Sequence, residues 1–248
     1  MNSTIIPSPW IKIFQPSSHT NLRLFCFHSS ASGASLFRLW GKHLPSNIEV
    51  CAIQLPGRET RIKETLIIKW DELLSSLTKD LQPFLTEYPF VFFGHSLGGL
   101  ICFEVARKLR EKKLPTPKYM FISGRRAPHI PIDNQLHQAS NQTLISTLRE
   151  YGGTPEAVLE NRDLMELFLP ILRADFTLNE KYIYSPEAPF EFPIVAFRGI
   201  NDTAVNLQQL SEWEKHTVGN FALHEFPGGH MFFQQQPETL IEAILKLL

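Results

Sequence analysis

Cysteine is scarce in this chain. Three in 248 residues are too few for a disulfide framework, and Cys26, Cys51 and Cys102 each sit inside an apolar run, as reduced, buried small residues do. An excess of either charge is also missing: 24 Lys+Arg face 25 Asp+Glu, a formal net charge of −1. That balance removes the general electrostatic case for nucleic acid or an anionic membrane as partner. No run approaches the roughly 18 apolar residues that a membrane-spanning helix needs. Met1 to Trp10 lacks a basic stretch followed by an apolar one, so no secretory signal is expected. Internal repeats, low-complexity tracts and dividing linkers are not seen either. With 43% hydrophobic residues, the expectation is one soluble, cytoplasmic domain over residues 1–248 with a sizeable core.

Short β-rich runs alternate with helical patterns, which predicts an α/β fold, a mostly parallel sheet with helices on both faces. The strand candidates are Leu22–Phe27, Ile48–Gln54, Phe90–Phe93, Tyr119–Ser123, Pro193–Arg198 and Phe221–Phe226. Most lack strict alternation, as strands buried on both faces do. Leu73, Leu74, Leu77, Leu81, Phe84 and Leu85 fall on one helical stripe, and Ile101–Leu109 repeats the pattern. Further helices are expected to end near Glu212–Thr217 and to begin after Pro237. From His129 to Pro189 only helical patterns occur, among them a face of Leu164, Leu167, Phe168, Ile171 and Leu172. About 60 residues is too long for an ordinary connection, whose median is about 4–6, so residues 129–189 are read as an inserted helical cap, or lid.

The apolar run Phe90–Phe93 leads straight into Gly94-His95-Ser96-Leu97-Gly98, and a helix follows at once. This is the G-x-S-x-G pattern in strand-to-helix context. Glycines on either side permit a sharp turn that lifts the serine hydroxyl above the sheet, and the helix N-terminus favours negative charge developing there. These features predict an α/β-hydrolase fold, with Ser96 as the expected nucleophile. A serine needs a base, and in this fold the chain order is Ser, acid, His. Of nine histidines, that order and a loop just past the last strand select His230. Asp202, beyond the Pro193–Arg198 strand, is the preferred acid over Asp133, which follows an earlier strand. Two backbone amides should hold the oxyanion: that of Leu97, and one from the loop His28–Gly33 after the first strand. His28 itself precedes the nucleophile and is read as structural.

The chain resembles the type II thioesterases, stand-alone α/β-hydrolases that accompany nonribosomal peptide and polyketide synthases. The resemblance spans nearly the whole sequence. It is carried by Leu55-Pro56-Gly57-Arg58-Glu59, the strand-to-helix elbow Phe92–Gly98, Ser123–Pro128 (SGRRAP), Gly152-Gly153-Thr154-Pro155, Leu172-Arg173-Ala174-Asp175 and Phe226–His230 (FPGGH). It implies the triad Ser96, Asp202 and His230, with the first-loop amide at Ser29 or Ser30. One departure stands out: the family usually reads F-P-x-A-G-G where this chain has Phe27-His28-Ser29-Ser30-Ala31-Ser32. The reaction implied is hydrolysis of acyl thioesters on the phosphopantetheine arm of an acyl or peptidyl carrier domain, clearing stalled or misprimed synthases. The protein is then a monomer whose partner is that carrier domain.

No metal or organic cofactor is expected, since the Cys and His positions lack zinc spacing and there is no glycine-rich nucleotide loop. Arg125 and Arg126, directly after a strand, are candidates for carrier docking. The basic run Arg107–Lys113 lies on the order of 25 Å along the helix from Ser96 and is assigned to the helix C-terminus in solvent. Arg173 and Asp175 are expected to hold the cap together. Two rival readings remain at this point: a small-molecule esterase or lipase, and a non-catalytic carrier-binding module.

Overall fold

In the computed structural model, residues 8–234 and 236–248 are described. The expectation about the N-terminal segment therefore falls largely on residues 1–7, outside the described residues. Among the described residues seven strands form one sheet: β1 (Ile11–Lys12), β2 (Leu22–Phe27), β3 (Ile48–Ile53), β4 (Phe90–His95), β5 (Met120–Ser123), β6 (Ile194–Gly199) and β7 (Phe221–Phe226). Their spatial order is β1-β3-β2-β4-β5-β6-β7. Only the two-residue β1 runs antiparallel, and it pairs with β3 at the edge. The six predicted strands all form. Strands β3 to β6 are buried throughout, which is why their sequences run apolar without alternation. Edge strand β7 is half-buried to exposed and reads more polar.

Helices α1 (Trp70–Leu81), α2 (Leu97–Glu111), α6 (Leu207–Ser211) and α7 (Pro237–Leu245) complete the α/β frame. One core joins α1, α2 and the region around α6 to the sheet, through Leu73, Leu77, Ile101, Val105 and Trp213 among others. A second lies on the opposite face, where Trp40, Phe93, Phe121, Phe197 and Phe233 pack with Leu240, Ile241 and Ile244 of α7. Part of the chain's 19 phenylalanines thus fills both faces of the central strands.

Between β5 and β6 lie α3 (Asn141–Tyr151), α4 (Glu156–Leu159) and α5 (Arg162–Glu180). Ser140 caps α3 by accepting the Thr143 N–H, and Asn161 caps α5 by accepting that of Leu164. Gly152, at φ 75°, ends α3 in a backbone region that favours glycine. These helices have a small core of their own, with Leu144 and Leu148 against Met165, Leu169, Leu172 and Phe176. The predicted apolar face of α5 needs correction. Leu164 and Leu167 are exposed, because the side turned toward α3 is the i, i+4, i+7, i+11 stripe starting at Met165.

The basic run on α2 also needs correction. Arg107 and Arg110 both pair with Glu187, and Arg110 donates to the carbonyls of Ala188 and Pro189. They brace the chain where it returns toward β6 rather than serving the helix end in solvent.

Candidate active site

The site lies at the carboxyl ends of the strands. The chain runs from β2 to β3 on one side and returns to β4 on the other, so a crevice opens between the ends of β2 and β4. Strand register sets Phe27 beside Gly94, which places the His28–Gly33 loop next to the turn at Ser96. Ser96 takes φ 53° and ψ −116°, a strained conformation for a residue with a side chain. The glycine at position 98 follows from close approach: a Cβ there would lie 2.1 Å from the Phe27 carbonyl oxygen. Leu97 is the first residue of α2, so its N–H is among the helix-end donors without an intrahelical acceptor. Ser29 is buried and Ser30 half-buried; both line one pocket with Ser96 and His230.

Asp202 and His230 come together from loops after β6 and β7. Those loops are laced by backbone bonds from Ile200 N–H to Phe226 O (2.8 Å) and from Asn201 N–H to Gly228 O (2.9 Å). His230 Nδ1 lies 2.9 Å from Asp202 Oδ2, and the Asp202 side chain is fully buried. Its other oxygen, Oδ1, accepts the N–H groups of Ala204 (2.8 Å) and Val205 (3.2 Å). The carboxylate is therefore fixed from both ends. Asp133, the other acid considered, is exposed. No hydrogen bond of the described residues joins Ser96 Oγ to His230, although both border the same pocket; such bonds commonly tighten only with substrate bound.

Two contacts on His230 are not read from sequence. The His95 ring lies 4.9 Å from its centroid and the Tyr151 ring 5.0 Å. The first comes from the elbow strand and the second from the end of α3. Beyond Tyr151, Gln234 donates to the Gly153 carbonyl, so the G-G-T-P segment meets the turn that carries His230.

The L-R-A-D and L-P-G-R-E segments also meet. Arg58 forks onto Asp175 at 2.7 and 2.8 Å, and Asp175 Oδ2 also accepts the Ala31 N–H at 2.8 Å. Arg58 further donates to the Ser32 carbonyl. Asp175 thus ties α5 to the first-strand loop, while Arg173 holds α5 to the His137 carbonyl and Asn141. Ala31, where the family pattern has glycine, adopts φ 57°. The clamp retains the left-handed turn without the residue that takes it most easily.

Arg125 does not fit a docking role. It is only 5% exposed and lines the pocket, where Nη1 donates to Asn179. Burial, then the neighbouring Arg126, pulls its pKa down to about 9. A side chain so enclosed cannot meet a protein surface. Arg126 is half-buried in the same wall and donates to the carbonyls of Pro131 and Ala204.

Three buried histidines stay neutral. Burial above all, with Arg58 adding, pushes His28 down to about 4; burial and then His129 do the same to His216. Burial, then His230, holds His95 well below the ordinary 6.5. In the unfolded chain these groups protonate as pH falls through 6.5, whereas in the folded chain His28 and His216 resist until about 4 and His95 also stays neutral well below 6.5. Stability is therefore full above pH 6.5 and falls as pH drops from 6.5 toward 4. Thermal melts across that window should show Tm falling steadily; a flat Tm there contradicts the assignment.

Among the described residues no helix is long and apolar enough to cross a membrane, and no three His, Cys, Asp or Glu side chains gather as metal ligands. The three thiols are free and buried.

The sheet order and the strained strand-to-helix turn define an α/β-hydrolase. Residues 22–248 match the thioesterase domain family, and the chain belongs to that family; it is a thioesterase. It is 41% identical to the gramicidin S biosynthesis protein GrsT of Aneurinibacillus migulanus, over 96% of this chain and 93% of that one. It is 34% identical to thioesterase PikA5 of Streptomyces venezuelae, over 92% and 81%. Among solved structures it is similar to the type II thioesterase BorB from the borrelidin biosynthetic cluster, with a TM-score of 0.86 and 29% identity over 96% of each chain.

Proposed function

We propose that this thioesterase hydrolyses acyl groups from the phosphopantetheine arm of carrier domains, clearing stalled or misprimed nonribosomal peptide or polyketide synthases, with Ser96, His230 and Asp202 as its triad. The observation that carries the reading is the buried 2.9 Å Asp202–His230 pair at the pocket that Ser96 borders from its strained turn. The relatives named above support the pathway.

In the first half-reaction His230 Nε2 takes the Ser96 proton as Oγ attacks the thioester carbonyl. The carbonyl π pair becomes an oxyanion facing the Leu97 N–H and an N–H of Ser29 or Ser30. The intermediate collapses, the C–S bond breaks, and His230 gives its proton to the departing thiolate. Water then attacks the acyl-serine as His230 takes its proton; the second tetrahedral intermediate collapses, the C–O bond to Ser96 breaks, His230 returns the proton to Ser96 Oγ, and the free acid leaves. Asp202 keeps the Nδ1 proton in place and stabilises the imidazolium. These steps use side chains and backbone amides alone. The helical segment between β5 and β6 serves as the lid: its residues Leu148, Tyr151, Leu172 and Phe176 line the pocket.

The test is release of acyl groups from loaded carrier domains by the wild type and by Ser96→Ala. Wild-type release should exceed that of Ser96→Ala by about 10³-fold or more. Faster turnover of soluble esters than of carrier thioesters would mark a general esterase instead. Binding of the carrier with no release by either protein would mark a non-catalytic module.

A further inference from the structure

His28 spends its ring on the backbone of the loop that it opens. The side chain is buried, with Nδ1 2.8 Å from the Ser29 carbonyl oxygen. A carbonyl has no proton to give, so Nδ1 carries the hydrogen and donates it. Nε2 is sealed from solvent without a partner, which agrees, since a proton there would be a buried, unsatisfied donor. The Ser29 oxygen also accepts the Ser32 N–H at 3.3 Å. Fixing this carbonyl fixes the next amide. In a planar trans peptide the C=O and the following N–H point in opposite directions, and the described peptides are all trans. The Ser30 N–H is therefore aimed away from the His28 ring.

The neighbouring amides are taken or turned elsewhere. The Ala31 N–H meets Asp175 and the Ser32 N–H meets Ser29. Among the described residues the Ser30 N–H has no hydrogen-bond acceptor, and Ser30 borders the same pocket as Ser96. The Ser29 N–H is equally free, but its direction differs. The His28 carbonyl oxygen faces α2, 2.7 Å from where a Cβ on Gly98 would stand. By the same peptide geometry the Ser29 N–H points away from the first turn of that helix, which carries the Leu97 N–H.

We infer that His28 is a positioning residue: its bond to the Ser29 carbonyl turns the Ser30 N–H toward the pocket, as the second oxyanion donor beside that of Leu97. His28 touches no substrate and moves no proton. It holds a donor in place before charge develops, so no peptide has to turn during the reaction. The inference rests on the proposed triad at Ser96, and the outcomes below distinguish failure of one from failure of the other.

His28→Leu and His28→Asn leave side chains of similar size that differ in one respect: the asparagine Nδ2 stands where Nδ1 stood and can donate to the Ser29 carbonyl. Butyryl release is followed from a loaded carrier domain and from p-nitrophenyl butyrate. His28→Leu should lower kcat by about 10- to 100-fold, short of the roughly 10²–10³-fold cost of deleting a donor, with KM within about twofold. His28→Asn should recover most of that loss. Propylboronic acid, which adds to Ser96 and mimics the tetrahedral oxyanion, should bind His28→Leu more weakly by a factor similar to the loss in kcat. Equal losses in the two variants would reduce His28 to a packing residue and overturn the inference, as would a loss confined to KM. If only the ester is cleaved, the carrier reading falls while the two variants still test His28 on the ester. If the wild type cleaves neither substrate and binds no boronic acid, both fall. Should a variant fail to fold, nitrogen-15 spectra of the wild type decide. They should show His28 with its proton on Nδ1, and the boronic acid should shift the Ser30 and Leu97 amides together. A proton on Nε2, or a shift at Ser29 in place of Ser30, overturns the inference.

Discussion

Asp202→Asn should lower kcat/KM about 10⁴-fold and leave the fold intact. The reason is the asymmetry of the carboxylate's surroundings. Oδ1 accepts two backbone N–H groups, from Ala204 and Val205, while Oδ2 faces His230 Nδ1. An asparagine amide fits only one way, with its oxygen toward the two N–H donors. Its NH₂ then points at Nδ1, which must accept, and the ring proton moves to Nε2. That nitrogen can no longer take the Ser96 proton, and the imidazolium has also lost its counter-charge. The substitution is nearly isosteric and keeps the Oδ1 bonds, so Tm should move by only a few degrees. Asp133→Asn, on the exposed acid after β5, should leave kcat/KM at the wild-type value. An Asp202→Asn enzyme retaining a tenth of wild-type activity would remove Asp202 from the mechanism.

What could be read from sequence follows from which residues interact locally. Of the six longer strands, β2 to β6 are legible because an apolar run of four to seven residues is costly to place anywhere but a sheet interior; the edge strand β7 is legible from its β-rich run although it is half-buried to exposed. Ile11–Lys12 is not, since two residues carry no period and their pairing with β3 is tertiary. The turn at Ser96 and the meeting of Asp202 with His230 are legible through chain order and position after successive strands. On α5 the register slipped because Leu164, Leu167 and Phe168 interleave with Met165, Leu169 and Leu172, and periodicity alone does not say which stripe faces α3. The state of Arg125 was hidden for a different reason. An arginine following a strand looks solvated unless the enclosing residues, Asn179 among them, are known to fold back over it. Tyr151 against His230 likewise joins segments that nothing local connects.

Truncation of Asp175 should have the largest effect on stability, and it should damage catalysis from outside the triad. The Asp175 carboxylate is completely buried and makes three close contacts: two to the Arg58 fork and one to the Ala31 N–H. Asp175→Ala leaves a buried guanidinium without its counter-ion, a loss of about 3–5 kcal/mol. At about 2–4 °C per kcal/mol for a chain of this size, Tm should fall by roughly 6–20 °C. The catalytic effect has a separate origin. Ala31 sits at φ 57° next to the Ser29–Ser30 amides, and its N–H contact with Asp175 is one of the bonds fixing that turn. Releasing it should lower kcat, approaching the roughly 10²–10³-fold cost of losing an oxyanion donor, with little change in KM. The pair Arg58→Met with Asp175→Leu separates the two effects. Replacing both ions with apolar groups of similar volume can restore stability, so Tm should recover most of the loss. The Ala31 N–H still lacks its acceptor, so kcat should remain low. Recovery of both Tm and kcat in the double variant would reduce the clamp to a purely structural ion pair.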